Sequence, residues 1–348
     1  MAREQCTPMS KRAPARRWLP LLLAMVALAP VTVVLAAILP DSVLATAAHG
    51  VLEDRYPVRR VVFGGGVTGL ADVVYSQPSG FRPLTLDLYL PPSRSAGAQL
   101  ARPLVLFVHG GAWFVGHTRH SGAFERWPDV LAAVAARGYV VSSMNYRFSR
   151  EAPFPAAIQD VKTAIRYLRA HAGEYGIDKQ RVLVWGGSSG GQLAALAATT
   201  CNVAALEPPD APAESDCVQA ALLWYPYTDM AALPPPTGAL PSAEGRYLGC
   251  EMASCPAELL RLSSPALQVT ANTPPMLIIH GAEDKVIPVQ QSLTLDAALR
   301  KVGVHSELLV LPGIGHQFVG DTARATHEAS VKVLDRSIEF IDATVGKR

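Results

Sequence analysis

The sequence predicts an α/β fold, a largely parallel sheet with helices on both faces, from three observations. Apolar runs of strand length alternate with helical-period segments from Leu84 to the C-terminus. Several of those runs are apolar throughout, as strands buried on both faces are. Three of them end in glycine: "LVLFVHGG", "RVLVWGGSSGG" and "MLIIHG".

Taken in order, "LTLDLYL" (Leu84–Leu90) alternates with strand period and is closed by Pro91-Pro92. "PLVLFVHGG" (Pro103–Gly111) reads as a buried central strand. "VLAAVAARG" is the end of a helix that stops at Gly138, and "YVVSSMNY" is the next strand. In "FPAAIQDVKTAIRYLRAHAGEYG", Ala157, Ile158, Val161, Ala164, Ile165 and Leu168 share one helical face. "RVLVW" is a strand again, and an Ala-rich helix follows its glycines. "VQAALLWYP", "PPMLIIHG" and "HSELLVLP" are three further strands, with helices over Gln290–Val302 and near Ala323–Val345. Residues 201–272 break the alternation and read as an insertion over the active-site end of the sheet. "GGGVTG" (Gly64–Gly69) satisfies G-x-G-x-x-G, but a strand and a turn follow it rather than a helix, so it reads as a loop.

The 348 residues suffice for one large core, expected over 48–348. Net charge is +2, and without residues 1–47 it is −1, so nothing points to a nucleic-acid partner. Residues 1–47 form a separate segment. The basic "KRAPARR" precedes Trp18–Pro40, 23 residues without a charge, and Ala45-Thr46-Ala47 follows with small-x-small spacing. That pattern fits a cleaved export signal or a retained membrane anchor through residues 18–40. Both put the rest of the chain outside the cytoplasm, periplasmic or secreted. Cys201, Cys217, Cys250 and Cys255 agree with export as disulfide candidates, in any of three pairings. No metal-ligand spacing accompanies them.

A serine hydroxyl needs a base to become a nucleophile, and its transition state needs donors for an oxyanion. "GGSSGG" (Gly186–Gly191), between a strand and a helix, reads as a nucleophile elbow. Two registers satisfy G-x-S-x-G, centred on Ser188 or on Ser189, and glycine symmetry alone leaves both open. "HGGAW" (His109–Trp113) ends a strand where backbone N–H groups could meet an oxyanion, with His109 itself structural. Asp284 in "HGAEDKVIP" and His316 in "LPGIGHQF" follow later strands, in the order Ser, Asp, His. Rival acids are Glu283 and Asp229, and rival bases are His280, His305 and His327.

The chain resembles the α/β-hydrolase esterase/lipase superfamily, near the hormone-sensitive-lipase-like carboxylesterases and the feruloyl/acetyl-xylan-esterase-like group. "LDLYLPP", "VHGGAW", "NYRFSREAPFPAAIQDVKTAIRYLR", "YGIDKQRVLVWGGSSGGQLAAL", "HGAEDKVIP" and "GIGHQF" carry the resemblance, from about Leu84 to the C-terminus. It implies an α/β-hydrolase fold and a serine carboxylesterase working through an acyl-enzyme, with no cofactor and no metal. Since the family's elbow reads G-x-S-x-G-G, it implies Ser188 as nucleophile, with Asp284 and His316 completing the triad. Gly111, Ala112 and Ser189 would supply oxyanion N–H groups, with Gly110 a lesser candidate. Ala112 departs from relatives with a third glycine and matches the HGGxW subgroup. The expected substrate is a small-molecule or lipid-like ester of short-to-medium acyl length. Amide-cleaving relatives of arylformamidase or aminopeptidase type are the alternative, and a non-catalytic binding protein is a more distant one. Nothing in these patterns indicates the oligomeric state.

Overall fold

The computed structural model describes residues 59–92, 101–209, 211–233 and 242–346. The N-terminal segment expected as a signal or anchor lies outside them. Among the described residues no helix is long and apolar enough to cross a membrane.

The elements run β1 (Arg59–Val62), β2 (Thr68–Ser76), β3 (Leu84–Leu90), β4 (Arg102–Val108), α1 (Trp127–Ala136), β5 (Val140–Met144), α2 (Ala156–Ala170) and α3 (Ala172–Tyr175). Then follow β6 (Ile177–Gly187), α4 (Ser189–Thr199), β7 (Ala220–Trp224), α5 (Ala243–Leu248), α6 (Ala257–Leu262), β8 (Met276–Gly281), α7 (Gln290–Lys301), β9 (Ser306–Leu311) and α8 (Ala323–Thr344). One sheet holds the strands in the order β1-β2-β3-β5-β4-β6-β7-β8-β9. From β5 to β9 every pairing is parallel, while β1, β2 and β3 join antiparallel at one edge.

Those antiparallel strands have a local cause. Gly65 (φ 70°) and Gly66 (φ 75°) take left-handed backbone between β1 and β2, so the "GGG" run makes a tight reversal. No helix opens after it, which removes the geometry a dinucleotide phosphate needs.

The apolar strands divide their side chains by period two between two cores. Leu104, Leu106, Val108, Val182, Val184, Ala221, Leu223 and Ile278 pack with α2, α4 and α7. Val105, Phe107, Leu183, Trp185, Leu222, Trp224 and Ile279 pack with α1 and α8. The second core is aromatic. Trp127, Trp185 and Trp224 lie within 5.8 Å of one another by ring centroid, and Phe107 sits 4.6 Å from Trp127. Each such buried ring contributes on the order of 1.5–3 kcal/mol.

The expected insertion over 201–272 divides in two, because Ala220–Trp224 within it is strand β7. Residues 200–209 and 211–219 fall between the C-terminus of α4 and the N-terminus of β7, so they lie at the end of the sheet away from the strand C-termini. Only the stretch between β7 and β8 follows a strand's C-terminal end. The first excursion is tied to α2 by charge. Lys162 is fully buried and donates to Asp216 (2.6 Å), Glu207 (2.7 Å) and Thr200 O (2.6 Å). Cys201 lies beside Cys217 with Cα atoms 4.9 Å apart, and Cys250 beside Cys255 at 5.4 Å, both spacings a disulfide spans.

Candidate active site

Strand β6 turns into α4 through Ser188, whose backbone sits at φ 58°, ψ −125°. A non-glycine residue held there costs on the order of 1–3 kcal/mol and persists only where its surroundings over-determine it. Two bonds do so. Ser188 N–H donates to Trp224 O on β7 at 2.9 Å, and Ser188 O accepts from Gln192 N–H at 3.0 Å. Ser188 is half-buried, whereas Ser189 is wholly buried as the first residue of α4.

The glycines distinguish the two registers that the sequence left open. A Cβ on Gly186 would fall 2.2 Å from Gly190 O, and one on Gly190 2.2 Å from Val108 O. These are the positions two before and two after Ser188. Around Ser189 the demand is weaker: a Cβ on Gly187 would meet the Tyr225 hydroxyl at 3.3 Å, and one on Gly191 would meet Pro226 at 3.1 Å. The tight turn is therefore centred on Ser188.

The loop after β4 lies against this elbow. A Cβ on Gly110 would fall 2.8 Å from Gly187 O and 3.3 Å from Ser188 Cβ. Gly111 (φ 121°), Ala112 (φ 54°) and Trp113 (φ 54°) form a continuous left-handed run, closed by Phe114 N–H and Val115 N–H donating to Gly111 O at 3.0 Å. Among the described residues no protein acceptor takes the N–H of Gly111, Ala112 or Ser189. Three unclaimed donors near a serine at a strained turn form a set able to receive a developing oxyanion.

The loops after β8 and β9 bring Asp284 and His316 together. Asp284 Oδ1 accepts from the N–H groups of Val286 and Ile287, both at 2.8 Å, which fixes the carboxylate in a local turn. Its Oδ2 lies 2.7 Å from His316 Nδ1. That bond places a proton on Nδ1, so in the neutral ring Nε2 is the nitrogen able to accept one. Gly281 allows the two loops to approach, since a Cβ there would fall 2.2 Å from Ile314 O.

Residues 86–299 match the family described as BD-FAE. The chain belongs to the BD-FAE family. It is 36% identical over 221 residues to Esterase LipC of Mycobacterium tuberculosis, covering 62% of this chain and 53% of LipC. With Esterase LipQ of the same organism it shares 31% identity over 286 residues, 80% of this chain and 63% of LipQ. The chain thus spans between about half and two thirds of these relatives' lengths. The fold superposes on esterase 2 of Thermogutta terrifontis phosphonylated by sarin, with a TM-score of 0.64 and 27% identity. That match covers 83% of this chain and 97% of the other. The same esterase is known with propionate and with butyrate bound. The mostly parallel sheet and these neighbours are of α/β-hydrolase type.

In this BD-FAE domain the electrostatics of Asp284 are set by competition. Burial pushes its carboxyl up, but hydrogen bonds from His280 and His316 and from Ile287 N–H prevail, holding it well below the usual carboxylate range. His280, a rival base in the sequence, is committed elsewhere. Its Nε2–H donates to Ile287 O at 2.9 Å with Asp284 Oδ2 at 3.3 Å, and its Nδ1 accepts from the Ser292 hydroxyl at 2.6 Å. Wholly buried, it buttresses the acid.

The other rivals of the BD-FAE site stand apart. Glu283 is exposed, and Asp229 caps a turn through Ala231 N–H and Ala232 N–H. His305 pairs with Glu307, and His327 is exposed on α8. His109 is structural: its Nδ1–H donates to Gly110 O at 2.7 Å and its ring stacks on Tyr146 at 4.5 Å. Burial pushes it down to about 4, so it is neutral at pH 7. Among the described residues no group of three or more His, Cys, Asp or Glu is placed to hold a metal.

Sequence reasoning missed three supports of the BD-FAE site. Tyr225, at φ 38°, sets its ring 4.7 Å from that of His316 while its hydroxyl lies against Gly187, so one side chain touches both the elbow and the histidine loop. Asp87 on β3, almost wholly buried, accepts from Thr118 Oγ1 (2.8 Å) and from Arg119 Nε (2.7 Å) and Nη2 (2.9 Å), anchoring the far end of the glycine loop. Gln192 is the third. A short polar residue inside a strand pattern was the only trace Asp87 left in the sequence.

Proposed function

We propose that this chain is a serine carboxylesterase that hydrolyses short-to-medium acyl esters through an acyl-enzyme. The observation that carries the reading is one half-buried elbow serine, Ser188, adjoining N–H groups that no acceptor among the described residues takes, with a His–Asp pair on the neighbouring loops. The esterase relatives support ester chemistry, and the propionate, butyrate and sarin complexes of the structural neighbour support short acyl groups and a reactive nucleophile.

Ser188 Oγ attacks the ester carbonyl carbon while His316 Nε2 takes its proton. The carbonyl oxygen gains the negative charge and receives hydrogen bonds from the N–H groups of Gly111, Ala112 and Ser189. Asp284 holds the His316 tautomer and stabilises the imidazolium. The intermediate collapses as His316 gives its proton to the leaving alkoxide, releasing the alcohol. Water then attacks the acyl-enzyme, His316 accepts its proton and returns it to Ser188, and the carboxylic acid leaves. We also propose that the domain works outside the cytoplasm with both cysteine pairs oxidised, which the N-terminal apolar segment and the two close pairings support.

The test is a fluorophosphonate label on the purified full chain, followed by peptide mapping, together with turnover of p-nitrophenyl acetate and butyrate. Label on Ser188 with ester turnover is expected. Label on Ser189 would keep the hydrolase reading but shift the nucleophile and the oxyanion assignment by one residue, whereas no label on folded protein, or anilide turnover exceeding ester turnover, would overturn the reading.

A further inference from the structure

Gln192 lies four residues past Ser188, wholly buried in α4, and its carboxamide makes three hydrogen bonds. Oε1 accepts from Trp113 Nε1–H at 3.1 Å and from the Tyr247 hydroxyl at 3.3 Å, while Nε2 donates to Ser263 O at 2.8 Å. The amide's orientation follows from chemistry. An indole N–H can only donate and a backbone carbonyl can only accept, so the oxygen must face Trp113 and the nitrogen Ser263.

These three partners come from separate parts of the chain. Trp113 is the last residue of the left-handed run that carries the Gly111 and Ala112 N–H groups. Tyr247 is on α5 and Ser263 closes α6, both in the stretch between β7 and β8. Trp113 and Tyr247 also stack, with ring centroids 4.2 Å apart and planes 6° from parallel, and Tyr227 adds a third ring 4.9 Å from Trp113. Apart from these contacts, Trp113 is held by Ser149 N–H donating to its carbonyl at 2.8 Å. Two of the run's three residues are not glycine, so their backbone depends on being held from outside.

We infer that Gln192 is a positioning residue. Through Trp113 it sets the direction of the Gly111 and Ala112 N–H groups relative to Ser188, and through Tyr247 and Ser263 it locks the β7–β8 stretch to that setting. The elbow helix, the oxyanion loop and that stretch therefore share one polar node. A shift of α5 reaches the oxyanion donors without touching the triad. The inference rests on the esterase reading above.

The experiment compares kcat and KM for p-nitrophenyl butyrate in wild type, Trp113→Phe, Tyr247→Phe, the double variant and Gln192→Leu, with near-UV circular dichroism reporting the fold. Tyr247→Phe removes only a hydroxyl, and Trp113→Phe keeps an aromatic ring at the stack while removing the indole donor and some ring volume, so the two together carry the test should Gln192→Leu fail to fold. An oxyanion donor matters most in the transition state, so kcat should fall about tenfold or more with KM within about threefold. The losses in the double variant should fall short of multiplying, because both donors act on one oxygen. Folded variants with kcat within twofold of wild type, or losses confined to KM, would overturn the positioning role. A wild type that is neither labelled at Ser188 nor active on esters would remove the esterase reading and this inference with it. An active wild type with unaffected variants removes this inference alone.

Discussion

Asp284 receives His316 on one carboxylate oxygen at 2.7 Å while the N–H groups of Val286 and Ile287 hold the other at 2.8 Å each. The acid is thus oriented by its own loop before it orients the histidine. In Asp284→Asn the amide can present N–H to His316 Nδ1 and favour the wrong tautomer. We expect kcat to fall by about four orders of magnitude with little change in KM, as for the equivalent change in a serine protease. Steady-state kinetics at saturating ester checks it.

The same carboxylate has a pH signature. Its folded-state pKa lies below the ordinary value of about 3.9, so the unfolded chain binds more protons in that range. The stability it contributes is complete above the ordinary value and is lost as pH falls through the depressed one. The melting-temperature difference between wild type and Asp284→Asn should stay constant from pH 7 to 5 and shrink only below about pH 4. A difference that shrank near neutrality would contradict these bonds.

Ser188 and Ser189 should separate cleanly. Ser188→Ala should lose on the order of 10⁴–10⁶ in kcat and remain folded. Ser189→Ala should keep activity within about tenfold, because only its N–H is assigned a role and its side chain is wholly buried. The glycines supply an independent check. Gly190→Ala drives a Cβ to 2.2 Å from Val108 O and should abolish activity or folding, whereas Gly187→Ala meets a side-chain hydroxyl at 3.3 Å and should retain both.

Asp87 stands on β3, three places from the elbow strand β6 in the sheet, and holds the far end of the glycine loop. Asp87→Ala removes the acceptor of the Thr118 hydroxyl and of the Asp72 N–H, and leaves the half-exposed Arg119 paired with Asp72. A loss of about 2–3 kcal/mol is expected, below the range for a fully buried pair because Arg119 reaches solvent. Urea unfolding measures it.

The two cysteine pairs lie at different ends of the molecule. Removing Cys201 and Cys217 together should lower stability by roughly 3 kcal/mol, for a loop of that length, and leave kcat unchanged. Removing Cys250 and Cys255 frees the end of α5, where Cys250 N–H donates to Gly245 O, and should lower kcat through Tyr247. Thermal melts and kinetics with and without reductant compare the two.

By itself the sequence determined the alternation of strands and helices, the buried centre of the sheet, and the placing of the double-serine turn, Asp284 and His316 after strands. Periodicity, glycine at sharp turns and the polarity of strand termini depend on chain neighbours, so they can be read along one dimension. Tertiary structure decided what depends on distant segments meeting. The elbow's register follows from Gly190 pressing on Val108 O, a contact 82 positions apart that glycine symmetry conceals. The strand in "VQAALLWYP" was legible inside the expected insertion, and its pairing between β6 and β8 is what divides that insertion in two. Neither Gln192 nor Asp87 belongs to a local motif, since each takes its meaning from partners far away in the chain. Hydrogen bonds between distant segments leave no period in the sequence, and only the folded chain brings their donors and acceptors within 3 Å or so of each other.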